Sequence, residues 1–238
     1  MKRPARYHPV VAVLNPKGGT GKTTLATNLA RALGIRLGIP ALLLDTDPQG
    51  TARDWQRAQS SPLEEGGEGR QVESVRTLPY PEVRGVDVPG HVRREAEAAA
   101  ARAVVVIDGA AKAEAMAAEA AKVADLVLIP VQPSPADIWG ASDLVRIVRA
   151  ARTPAAFVVV RQVAGTRLAE DIGPALGGYG LPVFAARTAQ RVAYAEALLL
   201  GRTVLDLDRA GAAAAEVLAV ADEVLTVLGV APEANTGP

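Results

Sequence analysis

Short, almost uninterrupted apolar runs recur along this 238-residue chain, with longer alanine-rich stretches between them. The runs are rich in Val, Ile and Leu, which is typical of parallel strands that are covered on both faces of a sheet. We predict strands at residues 10–14, 41–44, 104–107, 126–129 and 157–160, and a shorter one at residues 181–184.

The stretches between these strands carry apolar residues at the three- and four-residue spacing of a helix. One helix follows the first strand, where Leu25, Leu29 and Leu33 recur at that spacing. Further helices are predicted at residues 91–102, 111–123, 136–151, 189–200 and 209–228. The alternation predicts a doubly wound α/β fold, a mostly parallel sheet with helices on both faces.

A chain of this length can bury the core of one large α/β domain. We assign that domain to residues 10–230, between an N-terminal tail at residues 1–9 and a C-terminal tail at residues 231–238. Polar residues and glycines at residues 60–70 predict a loop. The last helix is expected to pack on the domain, because it lacks the Lys/Arg-rich polar face of a membrane-surface helix.

The composition of the chain restricts the kinds of site that it can form and its cellular location. The chain has no cysteine, which excludes disulfides, thiolate metal sites and iron–sulfur clusters. Its formal net charge is zero, so any contact with nucleic acid must come from a local basic patch. No apolar run is long enough to span a bilayer, and the basic segment before Pro9 lacks the apolar stretch of a secretory signal. We therefore expect a cytoplasmic protein.

A glycine-rich loop with a lysine at each end lies between the first strand and its helix: Lys17-Gly18-Gly19-Thr20-Gly21-Lys22, followed by Thr23 and Thr24. Glycines let backbone N–H groups surround a phosphate, and the following helix adds its positive N-terminal end. This context is the one that the phosphate-binding loop G-x-x-x-x-G-K-[ST] requires, although Pro16 replaces its first glycine. We predict that Lys22 contacts the β- and γ-phosphates of ATP and that the Thr23 hydroxyl binds Mg²⁺.

Two aspartates end predicted strands, and strand carboxyl ends face the ligand crevice in such sheets. Asp45 begins the segment Asp45-Thr46-Asp47-Pro48-Gln49-Gly50, which can anchor a loop near the γ-phosphate, with Asp47 as the loop-fixing residue. Asp108 ends the strand at residues 104–107 and is a candidate for holding Mg²⁺. An aspartate after a strand is also a common turn former, so the neighbouring phosphate loop is what favours the functional interpretation.

The loop resembles that of the deviant Walker A ATPases of the ParA/MinD family, which has the pattern KGGxGK[ST]. Further stretches resemble the small plasmid-partition (ParF-like) branch of that family, at residues 14–16, 108–110, 130–137 and 188–194. The resemblance implies an ATP-sandwich homodimer in which Lys17 reaches the nucleotide of the partner subunit. It also implies that Asp45 orients or activates the attacking water, and that Asp45 and Asp108 hold Mg²⁺ through water.

The same resemblance implies a DNA partition (segregation) ATPase. Its dimer would bind non-specific double-stranded DNA at the nucleoid, and a centromere-binding, ParB-like adaptor would stimulate ATP hydrolysis. Relatives bind DNA through arginines of the C-terminal half, for which the candidates here are Arg167, Arg187, Arg191 and Arg202. Arg187 and Arg191 stand four residues apart near the start of a predicted helix, so we expect them to share a face.

Some assignments stay open from the sequence. Arg161 or Gln162, at the end of a strand, is a candidate for the adenine pocket. A MinD-like membrane-positioning ATPase would have the same loop, although the last helix and the tail have the wrong composition for it. A P-loop kinase would need a substrate-binding lid, for which residues 60–70 are the one candidate.

Overall fold

The computed structural model describes residues 7–59, 78–111 and 113–233, apart from the side chains of residues 167–170. Its described part contains one six-stranded sheet in which every neighbouring pair of strands is parallel, in the order β3-β2-β4-β1-β5-β6. The strands are β1 (Val10–Val13), β2 (Ala41–Asp45), β3 (Glu82–Gly85), β4 (Val104–Asp108), β5 (Leu126–Val131) and β6 (Ala155–Val159).

Helices cover both faces of this sheet. They are α1 (Lys22–Leu37), α2 (Thr51–Ala58), α3 (Pro89–Ala100), α4 (Glu114–Val123), α5 (Pro135–Gly140), α6 (Ser142–Ala151), α7 (Arg167–Gly177), α8 (Val192–Leu199), α9 (Val204–Leu207) and α10 (Ala212–Leu228). One hydrophobic core lies under α3, α4 and α6, and a second one lies under α1 and α10. The predicted doubly wound α/β fold is confirmed.

The register of the sheet brings two aspartates side by side at the carboxyl ends of the strands. Asp45 at the end of β2 pairs with Asp108 at the end of β4, and Val13 at the end of β1 also pairs with Asp108. The order of the strands reverses beside β1, whose neighbours are β4 and β5. Ligands bind at such a reversal point in open α/β sheets, outside the carboxyl ends of the strands. The loop after β1 therefore opens into the ligand crevice.

Two strand predictions differ from the structure. The strand predicted at residues 181–184 is wrong, since Val183 forms only an isolated bridge with Phe157. Strand β3 was missed because Glu82–Gly85 is an exposed or half-buried edge strand without an apolar run.

The helix predictions are correct in place but not in their ends. The helix predicted at residues 136–151 is two helices, α5 and α6, which meet at Ala141. Helix α8 begins at Val192 and not at residue 189, because Ala189 forms a bridge with Gln162 and is held as extended backbone. Helices α4 and α10 each begin three residues later than predicted, at Glu114 and Ala212, and α3 begins two residues earlier, at Pro89. Helices α2, α7 and α9 were not predicted.

The last helix packs as expected on the body of the domain. Helix α10 lies against α1, with Val217, Val220 and Val224 buried in the second core. None of the helices in the described ranges combines the length and the apolar character that crossing a bilayer requires. The loop predicted at residues 60–70 and most of the two tails lie outside the described residues, so those predictions and the domain limits stay predictions.

Candidate functional site

A cavity of about 860 Å³ opens at the carboxyl ends of the strands. Its volume is within the usual range for sites that bind small molecules. The phosphate loop (residues 17–24) contributes Gly18, Gly21, Lys22 and Thr23 to its wall, and the segment after β6 contributes Arg161. The opposite wall comes from the loop before α8 and from α8 itself. The cavity is therefore bordered by the loop that the sequence singled out.

The backbone of the phosphate loop needs its glycines. Gly19 and Gly21 have φ angles of 76° and 81°, in the left-handed region that residues with a Cβ avoid. Gly21 is the N-cap residue of α1 and offers no side chain to the first turn, and that turn holds no acidic residue. The free N–H groups and the positive end of the helix dipole are therefore available to an anion in the cavity.

Lys22 is a buried cation at the floor of this loop. The residue is 7% exposed, and its Nζ donates a hydrogen bond to the carbonyl oxygen of Lys17 at 2.9 Å. Burial lowers the pKa of Lys22, while the negative charges of Asp108 and Asp47 act to raise it. A buried ammonium of this kind gains from an anionic ligand that takes over its lost hydration.

Asp108 is buried at the end of β4. Within the described part of the chain, neither of its carboxylate oxygens has a hydrogen-bond partner of normal geometry. The pKa of Asp108 is raised to about 7, chiefly by burial; the nearby Thr23 hydroxyl and the Lys22 ammonium lower it, and the Asp45 charge adds to the increase. The negative charge of the buried Asp108 carboxylate is therefore only partly balanced by its surroundings, and a bound cation would balance it.

Magnesium fits this arrangement. The described ranges contain no group of three or more His, Asp or Glu side chains that would cage a metal ion unaided. Mg²⁺ is commonly bound by one or two protein ligands together with water and substrate phosphates, so a full cage is not required. The unpaired Asp108 carboxylate and the adjacent Thr23 hydroxyl supply ligands of the right chemistry.

Asp45, at the end of β2, is fully buried, and both of its carboxylate oxygens accept hydrogen bonds. Its Oδ1 accepts a hydrogen bond from the Asp47 N–H at 3.0 Å, and its Oδ2 accepts from the backbone N–H and the Nε of Arg53 at 3.2 and 3.3 Å. Burial raises the pKa of Asp45, and these hydrogen bonds and the Arg53 charge oppose the increase. Asp45 thus fixes the start of the segment 45–50, called here the switch loop.

The switch loop is joined to the loop that follows β4. Thr46 is buried, and both its N–H and its Oγ1 donate to the carbonyl oxygen of Asp108, at 3.0 and 2.8 Å. The same hydroxyl accepts from the Ala110 N–H at 3.1 Å. Asp47 accepts from the Gln49 N–H at 2.9 Å, consistent with its predicted role in fixing the loop. The two loops are therefore held against each other by hydrogen bonds.

Lys17 lies on the outside of the phosphate loop. Its side chain is 44% exposed, it forms an ion pair with Asp137 of α5, and it is not among the described residues that line the cavity. Its N–H donates to Asn15 Oδ1 at 2.9 Å, and Asn15 Nδ2 donates to the Pro130 carbonyl oxygen at 2.8 Å. Strand β5, through Pro130, and helix α5, through Asp137, therefore brace the loop and set the direction of Lys17.

The candidate DNA-binding arginines are mostly engaged within the chain. Arg191 forms an ion pair with Glu216 at 2.6 Å, Arg187 donates to Gln162 Oε1 at 3.4 Å, and Arg202 donates to the Tyr80 hydroxyl at 3.0 Å. The expectation that Arg187 and Arg191 share a helix face is wrong, since α8 begins only at Val192. The side chain of Arg167 lies outside the described residues.

Sequence reasoning missed two residues of the site. Thr46 was noticed only as part of a segment, and Arg53 carried no signal at all. Arg53 lies in a helix that was not predicted, and its contact with Asp45 depends on the way the chain turns between them. The positive φ of Arg161, 54°, is also invisible in the sequence, although this residue does line the cavity, as its candidacy for the adenine pocket requires.

A parallel sheet with a phosphate loop at its reversal point defines a P-loop nucleotide-binding fold. Residues 11–231 match the family described as CobQ/CobB/MinD/ParA nucleotide binding domain. The chain belongs to this family and is an ATPase of its ParA/MinD group.

Named relatives span nearly the whole chain. "Maintenance of carboxysome distribution protein A" of Halothiobacillus neapolitanus is 28% identical over 222 residues, which are 90% of this chain and 95% of that protein. "Chromosome-partitioning ATPase Soj" of Thermus thermophilus is 31% identical over 217 residues, 82% of this chain and 86% of that protein. The structure of the septum site-determining protein MinD from Pyrococcus horikoshii, complexed with Mg-ADP, matches with a TM-score of 0.70 and 16% identity, over 93% and 98% of the two chains.

Proposed function

We propose that this ATPase is a partition or positioning ATPase, and more specifically a DNA partition ATPase that acts as an ATP-sandwich homodimer. The observation that carries the proposal is the position of Lys17. Lys17 belongs to the phosphate loop, yet its side chain lies outside the cavity that the loop borders. Once released from Asp137, a lysine in that position would reach the nucleotide of a second subunit that faces it.

Within one subunit, the chain's own groups position ATP as substrate. The first turn of α1 and the N–H groups of the phosphate loop would surround its phosphates, and Lys22 would neutralise the β- and γ-phosphates. Thr23 and Asp108 would hold Mg²⁺, with Asp45 contributing through water. When bound, Mg²⁺ neutralises phosphate charge and orients the phosphates, which supplies much of the electrostatic stabilisation that phosphoryl transfer needs.

Asp45 would orient the attacking water, in keeping with its place at the start of the switch loop. Positioning and charge neutralisation account for most of the catalysis of phosphoryl transfer. The described site offers no histidine, since neither His8 nor His91 lines the cavity. We therefore expect slow hydrolysis by the protein alone and faster hydrolysis when a centromere-binding, ParB-like adaptor completes the site.

The DNA-binding part of the proposal places a basic surface on the C-terminal half of the dimer. Arg187, Arg191 and Arg202 are partly exposed or exposed, and Arg167 belongs to the same half of the chain. An arginine that is ion-paired at the surface can exchange its partner for a phosphate at little free-energy cost, because exposed pairs are weak. Contacts of this kind read no bases, so the binding would be non-specific.

The test is dimerisation of the Lys17→Ala variant. With ATP and Mg²⁺, the parent should double in mass by multi-angle light scattering. The Lys17→Ala variant should still bind a fluorescent ATP analogue and should remain a monomer. Lys122→Ala is the matched control, because Lys122 is an exposed lysine on α4 that pairs with Glu119. A Lys17→Ala variant that dimerises like the parent would contradict the proposed role of Lys17 in the dimer.

A second candidate function is the positioning of a protein assembly, which would be the cargo in place of DNA. It is favoured by the relative named for carboxysome distribution, which matches over 95% of its own length. The two candidates differ in the adaptor, which binds a specific DNA site in the first and a protein assembly in the second. DNA footprinting of the adaptor that accelerates hydrolysis by this ATPase would separate them.

Co-sedimentation with liposomes would identify a membrane-positioning ATPase. No feature of the described residues favours that function.

A further inference from the structure

Arg53, in the first turn of α2, fills a slot between the switch loop and β3. A Cβ atom at Gly50 would lie 3.1 Å from its Nε, and a Cβ atom at Gly85 would lie 3.0 Å from its Nη1. Contacts this short would shift the guanidinium by a few tenths of an ångström. The two glycines, one on each side, therefore leave the space that this arginine occupies.

The guanidinium is shared among three acceptors. Its Nε donates to Asp45 Oδ2 at 3.3 Å, its Nη2 to the carbonyl oxygen of Asp47 at 2.8 Å, and its Nη1 to Asp87 Oδ1 at 3.5 Å. The Asp87 side chain is 66% exposed, so this pair contributes little. The Asp45 side chain is fully buried, so its pair with Arg53 has the stronger electrostatic consequences.

Helix α2 has another anchor and does not depend on this arginine. Trp55 is 2% exposed, and its Nε1 donates to the carbonyl oxygen of Arg202 at 2.8 Å. Ala52 is buried beside it. Apart from the weak pair with Asp87, the side-chain contacts of Arg53 go to the switch loop, and the Asp47 and Gln49 residues of that loop line the cavity. The arginine therefore controls the loop more than the helix.

We propose that Arg53 is a positioning residue for ATP hydrolysis, which holds the Asp45 carboxylate and the Asp47 carbonyl in one fixed arrangement at the edge of the cavity. The inference rests on the proposed role of Asp45 toward the attacking water. A planar fork with several donors can hold two acceptors at once, whereas a lysine is a point charge and can hold them less precisely. Arg53 acts through Asp45 and touches no reacting atom.

The first test compares Arg53→Ala and Arg53→Lys with the parent in steady-state ATP hydrolysis. Loss of positioning should lower kcat about 10- to 100-fold, the scale of small misplacements in active sites, and should leave KM for ATP within about twofold. Arg53→Lys should recover part of kcat. The control is Arg57→Ala, on the same helix, whose arginine pairs with Asp54 on the surface and should not change kcat.

A second variant displaces the guanidinium without removing it. Gly85→Ala places a Cβ atom against Nη1 and Cδ of Arg53 at 3.0 and 3.1 Å, and Gly85 has no positive φ to strain. It should lower kcat by a smaller factor than Arg53→Ala. If the alanine acts through Arg53, Gly85→Ala should have no further effect on kcat in the Arg53→Ala background. Additive effects would mean that Gly85 acts elsewhere and would overturn the inference.

Asp45→Asn separates this inference from the function on which it rests. If Asp45→Asn stops turnover, Arg53→Ala by itself lowers kcat and Arg53→Lys recovers part of it, both stand. If Asp45→Asn stops turnover while folded Arg53→Ala keeps the parent kcat, the Arg53 inference is wrong and the proposed role of Asp45 survives. If Asp45→Asn turns over at the parent rate, that role fails and the inference fails with it. Circular dichroism establishes that each variant is folded.

Discussion

The ammonium of Lys17 is held by the carboxylate of Asp137 in its own chain. Asp137 is 3% exposed, and its N–H donates to the Ser134 hydroxyl that caps α5, so the carboxylate is firmly placed. Lys17 must leave this partner if it is to reach a nucleotide in a second subunit. The ion pair therefore opposes dimerisation in the proposed function.

Asp137→Asn should favour the dimer. The isosteric amide removes the charge that holds Lys17, and a half-exposed pair contributes roughly 0.5 kcal/mol, so the dimer should form at about two- to fivefold lower protein concentration with ATP. Sedimentation equilibrium measures this shift. Asp143→Asn, an exposed carboxylate on α6, is the control. A dimer of Asp137→Asn that is weaker than that of the parent would mean that Asp137 orients Lys17 for the partner.

Asp45→Ala should trap the ATP-bound state. ATP and DNA binding should remain, because the phosphate loop and Lys22 are untouched, while phosphate release should fall about 100-fold or more, the size of effect that loss of a water-positioning group produces. Single-turnover phosphate release, with dimerisation followed in the same sample, measures both. Turnover at the parent rate would remove Asp45 from the mechanism.

Asp108→Asn should have opposite effects on stability and activity. The nucleotide-free protein should be stabilised by about 1–3 kcal/mol, because the buried carboxylate has no hydrogen-bond partner among the described residues and its pKa is raised to about 7. Mg²⁺-dependent ATP hydrolysis should be lost. Urea unfolding without nucleotide and ATPase assays with increasing Mg²⁺ measure the two effects. A destabilised variant that still responds to Mg²⁺ would contradict the assignment.

Gly109→Ala should destabilise the fold through a close approach of two strands. A Cβ atom here would lie 2.4 Å from Leu14 Cδ2 and 3.0 Å from the Val13 carbonyl oxygen. Overpacking of this kind costs about 1–3 kcal/mol, which urea unfolding detects. The control is Gly90→Ala in the first turn of α3, where a Cβ atom meets nothing within 4 Å. Equal stability of the two variants would show that the end of β4 has room to shift.

The features that could be predicted from the sequence are those that depend only on a few neighbouring residues. Strands β1, β2, β4, β5 and β6 are buried on both faces, so each one is a continuous apolar run. The phosphate loop carries its own glycines and lysines within eight residues. Such features need no knowledge of the tertiary structure.

The rest depends on contacts between distant parts of the chain. β3 is a strand because it pairs with β2 at the edge, and Glu82–Gly85 alone has no strand pattern. Arg53 meets Asp87, 34 residues away along the chain, only after both have folded around β2. The pairing of Arg191 with Glu216 likewise could not be predicted, since Arg191 precedes α8 and Glu216 lies on α10, 25 residues further along the chain.

Whether this protein is a DNA partition ATPase is decided by binding of non-specific duplex DNA to the ATP-bound dimer. Fluorescence anisotropy of a labelled duplex should rise with ATP and Mg²⁺, stay low with ADP, and stay low for Lys17→Ala. The affinity should fall steeply with salt, with a slope of log K against log salt of about −0.9 for each phosphate contacted. A sample that light scattering shows to be a dimer, and that leaves the duplex unbound at low salt, would contradict the assignment as a DNA partition ATPase.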